Sequence, residues 1–161
     1  MKSIFGFVFG LLLLQPAIAW AGDATARQAE TLILQNLQAQ HAKFAPNALV
    51  LASDSALADI ARSRAEAMAN GTALLSHTDV KGHYPPFDAV RAHFAPFNGL
   101  IRENIAVGNR SNAADANEFA ADTISHWMAS PSRRGNRIGI GAAINGNTAY
   151  AVAVFMGSAA R

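Results

Sequence analysis

Residues 138–155 read IGIGAAINGNTAYAVAVF, and this stretch predicts a pair of strands around which the rest of the chain can be arranged. Two apolar segments, 138–144 and 148–155, flank Asn145-Gly146. An Asn-Gly pair between apolar segments is typical of a β-hairpin with a type I′ turn, which needs positive φ at both central residues. We therefore expect a hairpin whose two strands are largely buried.

Two amphipathic helices are predicted in the first half of the chain. Apolar residues recur at helical spacing over Arg27–Lys43, which predicts the first helix. Asp54 is a plausible N-cap for a second helix, and Asn70-Gly71 a plausible end, because glycine accepts the left-handed conformation of helix C-termini. The apolar face of the second helix is predicted to contain Leu57, Ile60, Ala61, Ala65 and Met68.

The middle of the chain predicts a short helix, a strand and a longer helix. Pro85-Pro86 fits the first turn of a helix, and Leu100–Val107 alternates weakly like a strand. Asn112 and Asp115 resemble a capping pair before the next helix. Its buried face is predicted to contain Phe119, Ala120, Thr123, Ile124 and Trp127. The order of helices, strand, helix and hairpin predicts an α+β layered domain.

The N-terminus predicts a secretory signal. Lys2 is followed by an apolar run, Ile4–Leu14, and then by small-x-small sites ending at Ala19 and Ala21. The run of about 11 residues is too short for a spanning helix of about 20 residues. We expect cleavage after Ala21, which makes 1–21 the signal peptide and 22–161 one domain with its core at about 32–156. The product would be secreted or periplasmic, with no membrane span; the alternative is an uncleaved anchor or a buried N-terminal helix.

Composition excludes several classes of site. The chain has 13 basic and 11 acidic residues, a net charge of +2, and no strong basic bias, which argues against nucleic acid as a partner. It has no cysteine, so cysteine nucleophiles and thiolate metal sites are excluded. Arg133, Arg134 and Arg137 lie close together and indicate either a solvated loop or a contact for an anionic ligand.

Four short segments follow one another along the chain in a recognisable order. They are Ser76-His77-Thr78, Glu103-Asn104-Ile105-Ala106, His126-Trp127-Met128-Ala129-Ser130-Pro131 and Ile138-Gly139-Ile140-Gly141. Together they resemble the CAP superfamily (cysteine-rich secretory, antigen 5 and pathogenesis-related proteins, or SCP-like extracellular domains), in its short, cysteine-free bacterial form. The resemblance implies a three-layer α-β-α sandwich with a central antiparallel sheet. It also implies a large groove lined by two histidines and one or two acidic residues.

The resemblance assigns the groove to four positions. His77 and Glu103 lie at the positions of the family's first histidine and first glutamate. The second acidic residue falls near Ser130 and the second histidine at Arg133, so this chain lacks the second histidine. The ligand groove is therefore expected at His77, Glu103, Ser130 and Arg133.

The residues disfavour a metal cofactor. A zinc site needs three protein ligands for catalysis or four for structure, whereas His77 and Glu103 are two. His126 could be a third, but it precedes Trp127 by one residue, which turns it about 100° from the buried helix face. We expect no cofactor, and at most weak adventitious zinc or copper binding at His77.

His77 and Glu103 could form a pair in which the carboxylate orients the imidazole. Such a pair could link two layers of the fold, contact a ligand, or act as an acid and base. Ser76 is adjacent, but no strained nucleophile turn surrounds it.

Three functions follow from these observations. The first is a non-catalytic binding module for a lipid-like, cell-wall or protein ligand. The missing second histidine favours this function over an enzyme. The second is a metal-dependent or His/Glu-assisted hydrolase. The third is a structural or interaction domain with a vestigial groove.

Overall fold

The computed structural model describes residues 21–44, 50–109, 115–128 and 135–157. The predicted signal lies outside these residues apart from Ala21, so its cleavage stays a prediction. The described elements are α1 (Ala21–Phe44), β1 (Ala52–Ser53), α2 (Ser55–Ala69), α3 (Pro85–His93), β2 (Leu100–Asn109), α4 (Ala116–Met128), β3 (Arg137–Asn145) and β4 (Thr148–Gly157).

The strands form one sheet in the order β1-β3-β4-β2. The predicted hairpin is confirmed: β3 and β4 are antiparallel with Ile140 opposite Ala153, and β2 lies antiparallel on the other side of β4. The predicted central antiparallel sheet is thus formed by β2, β4 and β3, and β1 adds a parallel pairing with β3 over two residues. The sequence offered no strand signal there beyond a short apolar link.

The turn of the hairpin also differs from the predicted type. β3 ends at Asn145, so the central turn residues are Gly146 and Asn147. Gly146 has φ +57°, and no non-glycine residue in the described part of the chain has positive φ. Positive φ at the first central position alone is the pattern of a type II′ turn, which requires glycine there.

Helices cover both faces of the sheet, which confirms the α+β sandwich. Alternate residues of β4 point to opposite layers: Ala153 and Phe155 pack with α1 and α4, whereas Val152 and Val154 pack with α2. Trp127 is 2% exposed in the α1–α4 layer, as its helical spacing predicted.

The α2 layer lies very close to the sheet. A Cβ placed on Gly139 would lie 2.0 Å from the backbone of Leu57, and one on Gly141 would lie 2.0 Å from the backbone of Arg62. Side chains are therefore excluded at both positions. This is the physical reason for the Gly-x-Gly spacing in β3, which sequence reasoning noticed but did not explain.

The helix ends follow the predicted capping chemistry. Asp54 caps α2 by accepting a hydrogen bond from the backbone N–H of Leu57, and Gly71 follows the helix with φ +70°. Asp115 precedes α4 and accepts from the backbone N–H groups of Asn117 and Glu118. Asn112 lies outside the described residues.

Residues of α1 satisfy the exposed edge of β3 beyond its short pairing with β1. Glu30 accepts a 2.8 Å hydrogen bond from the backbone N–H of Ala142, and Arg27 donates one of 2.9 Å to its carbonyl. Arg62 of α2 also donates two hydrogen bonds to Glu30. A side-chain network thus substitutes for a neighbouring strand and ties both helix layers to the sheet.

Candidate functional site

The candidate site lies where β2 faces α2 and the loop from α2 to α3. Glu103 belongs to the side of β2 that carries Ile101 and Ile105, and both isoleucines pack in the α2–α3 layer. Since successive strand residues alternate, Glu103 is held inside that layer. His77 comes from the loop between Asn70 and Tyr84, 26 residues before Glu103 in the chain.

The structure brings the two predicted groove residues together. Nδ1 of His77 lies 2.9 Å from Oε2 of Glu103. The Glu103 side chain is 0% exposed, whereas the His77 side chain is 59% exposed. The pair therefore connects a fully buried carboxylate with an imidazole at the surface.

A third member of the site, Arg64, was missed by sequence reasoning. Its Nε lies 3.5 Å from Oε1 of Glu103, and its guanidinium also donates a hydrogen bond to the carbonyl of Ser76. The 3.5 Å separation makes an ion pair but exceeds the usual length of about 2.7–2.9 Å for a charge-assisted hydrogen bond. A signal existed in the sequence: Arg64 lies seven residues after Leu57 and so shares the buried face of α2.

Burial dominates the electrostatics of the site. Desolvation raises the pKa of Glu103 above its ordinary 4.5, although the hydrogen bond from His77 and the charge of Arg64 both act to lower it. Tyr84 packs beside His77 with 6.5 Å between ring centroids. Burial and the nearby Glu103 carboxylate raise the pKa of Tyr84 to about 12.

A cleft of about 840 Å³ lies beside this triad, between α2, α3 and the loop that connects them. Arg64 lines the cleft and also contacts Glu103, so it forms the boundary between the cleft and the His77–Glu103 pair. Much of the remaining lining is apolar. It includes Ile60, Ala67, Leu74, Val80, Pro86 and Ala89.

The loop over the cleft exposes unusually apolar side chains. Leu74 is 51% exposed and Val80 is 83% exposed, and the adjacent Leu75 is also exposed. Three of the five large exposed hydrophobic residues in the described part of the chain therefore lie in one loop. Exposed apolar side chains grouped in one loop mark binding sites more often than scattered single residues do.

The described residues do not fit a metal ion. Within the described ranges no group of three His, Cys, Asp or Glu side chains could hold one. The Glu103 carboxylate already lies beside the Arg64 cation, and His77 is the one other metal-ligating side chain that contacts it in the described ranges. The expectation about zinc stays a prediction, and no chemistry is derived through a metal.

Other predicted groove residues are not at this site or are not described. Ser130, Arg133 and Arg134 lie outside the described residues. Arg137 belongs to β3 rather than to a loop; its guanidinium pairs with the carboxylate of Asp54 and lies 4.8 Å from the centre of the Phe94 ring. His126 is exposed on α4, as expected of a surface histidine.

Comparisons with known proteins show a likeness in structure but no match in sequence. No family model matches the chain, and no curated protein matches it. Among solved structures it is similar to an outer surface protein from Borrelia burgdorferi, with a TM-score of 0.62 and 20% sequence identity, covering 83% of this chain and 95% of that one. At this identity the likeness shows a shared fold. No helix in the described ranges has the length and apolar character needed to cross a bilayer.

Proposed function

We propose that this chain is an exported SCP-like binding domain without catalytic activity, and that it holds a ligand at the cleft beside the His77–Glu103 pair. The observation that carries the proposal is the cleft of about 840 Å³ joined through Arg64 to an exposed imidazole on a buried carboxylate. Small-molecule sites are typically apolar clefts of roughly 300–1,000 Å³ with a few fixed polar groups. The ligand is expected to be lipid-like, a cell-wall fragment or a segment of another protein.

The residues suit binding because their polar groups are fixed in place. Glu103 orients the His77 ring through Nδ1, and Arg64 is held by both Glu103 and the carbonyl of Ser76. A ring oriented by a buried carboxylate loses little freedom when a ligand bonds to its other nitrogen, which favours affinity. His77 would thus be the polar anchor, and the apolar cleft would supply most of the binding energy.

Export is the second part of the proposal. It is supported by the signal-like N-terminus, the absence of cysteine and the fold shared with an outer surface protein. The four segments that resemble the CAP superfamily support the SCP-like assignment. Cell fractionation distinguishes secretion into the medium from retention in a periplasm. Intact-mass spectrometry of the exported protein tests cleavage, and a mature species that retains Met1 would contradict export with cleavage.

Binding can be tested by native mass spectrometry of the exported, tag-free protein. It would be incubated in turn with envelope lipid extract, soluble cell-wall fragments and envelope proteins, and the retained mass identified. Ala89→Trp should fill the cleft and abolish retention, because Ala89 of α3 lines it. Ala92→Trp is the matched control, since Ala92 is an exposed residue of the same helix outside the cleft lining.

His77→Ala should weaken the retained ligand by about 3–10-fold, the usual range for losing one hydrogen bond. His126→Ala is the control, because His126 is an exposed histidine of α4 that does not line the cleft. Retention that neither Ala89→Trp nor His77→Ala changes would overturn the proposed site.

A hydrolase is the second candidate, because a carboxylate often orients the imidazole of a histidine that acts as a general base. Nε2 of His77 has no hydrogen-bond partner among the described residues, and no serine or threonine in those ranges is bonded to it. Turnover of an ester, peptide or cell-wall substrate that is abolished by His77→Ala, with an unchanged melting curve, would establish this candidate in place of the binding domain.

A further inference from the structure

We infer that the cleft between α2 and α3 takes a single-chain amphiphile with a cationic head, its alkyl chain on the apolar floor and its ammonium group beside Asp79. This inference rests on the proposed binding function and specifies the ligand class. It differs from the alternative in which Arg133, Arg134 and Arg137 contact an anionic ligand.

The dimensions of the cleft favour a small molecule. Its volume of about 840 Å³ falls within the range of sites that enclose drug-sized ligands. It is bounded on two sides by helices and covered by the loop from Thr72 to Val80.

The floor of the cleft matches an alkyl chain in chemistry. Ile60 and Ala67 on α2 face Pro86 and Ala89 on α3, and Leu74 forms part of the cover. Burying apolar surface is favourable, so each methylene of a bound chain adds to affinity. Exposed Leu74 and Val80 would lose contact with water when the chain is bound.

An acidic side chain lies at the rim of the cleft. Asp79 lines the cleft with a side chain that is 36% exposed. Its Oδ1 accepts hydrogen bonds from the backbone N–H groups of His83 and Lys81, and these bonds keep its pKa below the ordinary value, so the carboxylate stays ionised. The nearest basic group to Oδ2 is the His83 ring at 3.7 Å.

The other charged groups of the lining are already matched. Arg64 is paired with Glu103, and Asp59 is paired with Arg62 at 2.8 Å. Asp79 is therefore the acidic side chain of the described lining that no arginine pairs with; the charges of His83 and Lys81 act on it from the same loop. An anionic head would meet this carboxylate, whereas an ammonium head would pair with it at the solvent-exposed rim.

The test compares three probes with the same dodecyl chain, each below its micelle concentration: dodecyltrimethylammonium, dodecyl maltoside and dodecanoate. Calorimetric titration of the full exported protein at pH 8 and low salt gives their dissociation constants. We expect the cationic probe to bind about tenfold more tightly than the anionic one, with the neutral probe between them. The preference should shrink at high salt, because exposed charges are screened.

Asp79→Asn is the decisive variant, since the amide oxygen can still accept both backbone hydrogen bonds made to Oδ1. It should remove most of the preference for the cationic probe, a change of about fivefold, while leaving the neutral probe unaffected. Asp88→Asn is the matched control, because Asp88 is an exposed aspartate of α3 outside the cleft lining. Ala89→Trp should abolish binding of all three probes.

The outcomes separate the two proposals. Equal binding of the three probes, all lost in Ala89→Trp, would overturn the charge inference while supporting the cleft. Tightest binding of dodecanoate, or a preference for the cation that Asp79→Asn does not change, would also overturn it. If no probe binds but native mass spectrometry retains another ligand that Ala89→Trp abolishes, the cleft is supported and the amphiphile is wrong. If nothing is retained by either method, both proposals fail.

Discussion

The two faces of the sheet bury one glutamate each, but the partners of the two carboxylates differ. Glu30, on the side of α1, is bonded by the backbone N–H of Ala142 and by two arginines, Arg27 and Arg62. Glu103, on the side of α2 and α3, has one arginine at 3.5 Å and one histidine at 2.9 Å.

Burial raises the pKa of both carboxyl groups, so low exposure alone does not distinguish them. The distinguishing feature is where their partners lead. The partners of Glu30 tie α1 and α2 to β3, which is a structural role. The partner of Glu103 with the shorter contact, His77, is mostly exposed, and the other partner, Arg64, lines the large cleft, which suits contact with a ligand. The cleft on the other face, between α1 and α4, is smaller, with a volume of about 270 Å³ compared with about 840 Å³.

The largest effect on stability is expected on substitution of Trp127, on the α1–α4 face. This ring is buried among α1, α4 and the sheet, so Trp127→Ala should lower the free energy of unfolding by about 3–5 kcal/mol. Ligand binding by the cleft on the opposite face should persist as long as the variant is folded. Denaturant unfolding followed by circular dichroism measures this loss of stability. A cost below about 1 kcal/mol would mean that the Trp127 ring is not a core residue of the α1–α4 layer.

Removal of Glu30 should also be costly. Glu30→Ala leaves the Ala142 N–H without its acceptor and the two arginines without their shared partner. An unsatisfied buried donor costs about 1–3 kcal/mol, and we expect a total of about 2–3 kcal/mol. The control is Gln28→Ala, at an exposed residue of α1, which should change the free energy of unfolding by about 0.5 kcal/mol or less. Equal effects of the two substitutions would remove the structural role of Glu30.

The pH dependence of stability sharpens the description of Glu103. Its pKa is raised in the folded protein, so its contribution to stability is present below about 4.5 and is lost as pH rises through the folded value. Glu103→Gln mimics the protonated acid in the surroundings of Arg64, His77 and Tyr84. Wild-type protein should therefore lose stability relative to this variant as pH rises above 4.5. A difference that is constant from pH 4 to 8 would contradict the raised pKa.

Tyr84 reports on the same carboxylate from the alkaline side. Its pKa is raised to about 12, so the stability it contributes is present below pH 10 and is lost as pH rises towards 12. Absorbance at 295 nm should show a tyrosinate phase near pH 12 that is missing in Tyr84→Phe. In Glu103→Gln this phase should move to lower pH, because a nearby negative charge has been removed. An unshifted phase would mean that burial alone raises the pKa.

The sequence predicted the elements better than the site because helices, caps and the hairpin follow from local patterns. Asp54, Gly71 and Trp127 have the roles that their spacing predicted. The two-residue strand β1 gave no such pattern, because its pairing with β3 depends on tertiary contact. The pairing of His77 with Glu103 was expected from the family resemblance rather than from local pattern.

Arg64 shows why the rest of the site was missed. A charged residue on the buried face of a helix is unusual, and its spacing from Leu57 was readable. Its partner, however, comes from a strand 39 positions later, and single-sequence patterns do not identify such contacts. The cleft was not predicted for the same reason. It is formed by two helices and a loop, whose apolar residues share no common spacing in the sequence.

The smallest stability effect is expected at His77, and it separates fold from function. The imidazole is mostly exposed, but its loss leaves Oε2 of the buried Glu103 without its hydrogen-bond partner, so His77→Ala should cost about 1–2 kcal/mol of unfolding free energy, less than Glu30→Ala. The same substitution should weaken the native ligand of the cleft by about 3–10-fold, because the polar anchor is lost. Paired unfolding and binding measurements on one preparation provide the comparison. A large loss of stability would place His77 with Glu30 as a structural group, and an unchanged affinity would show that ligand is held by the cleft without the imidazole.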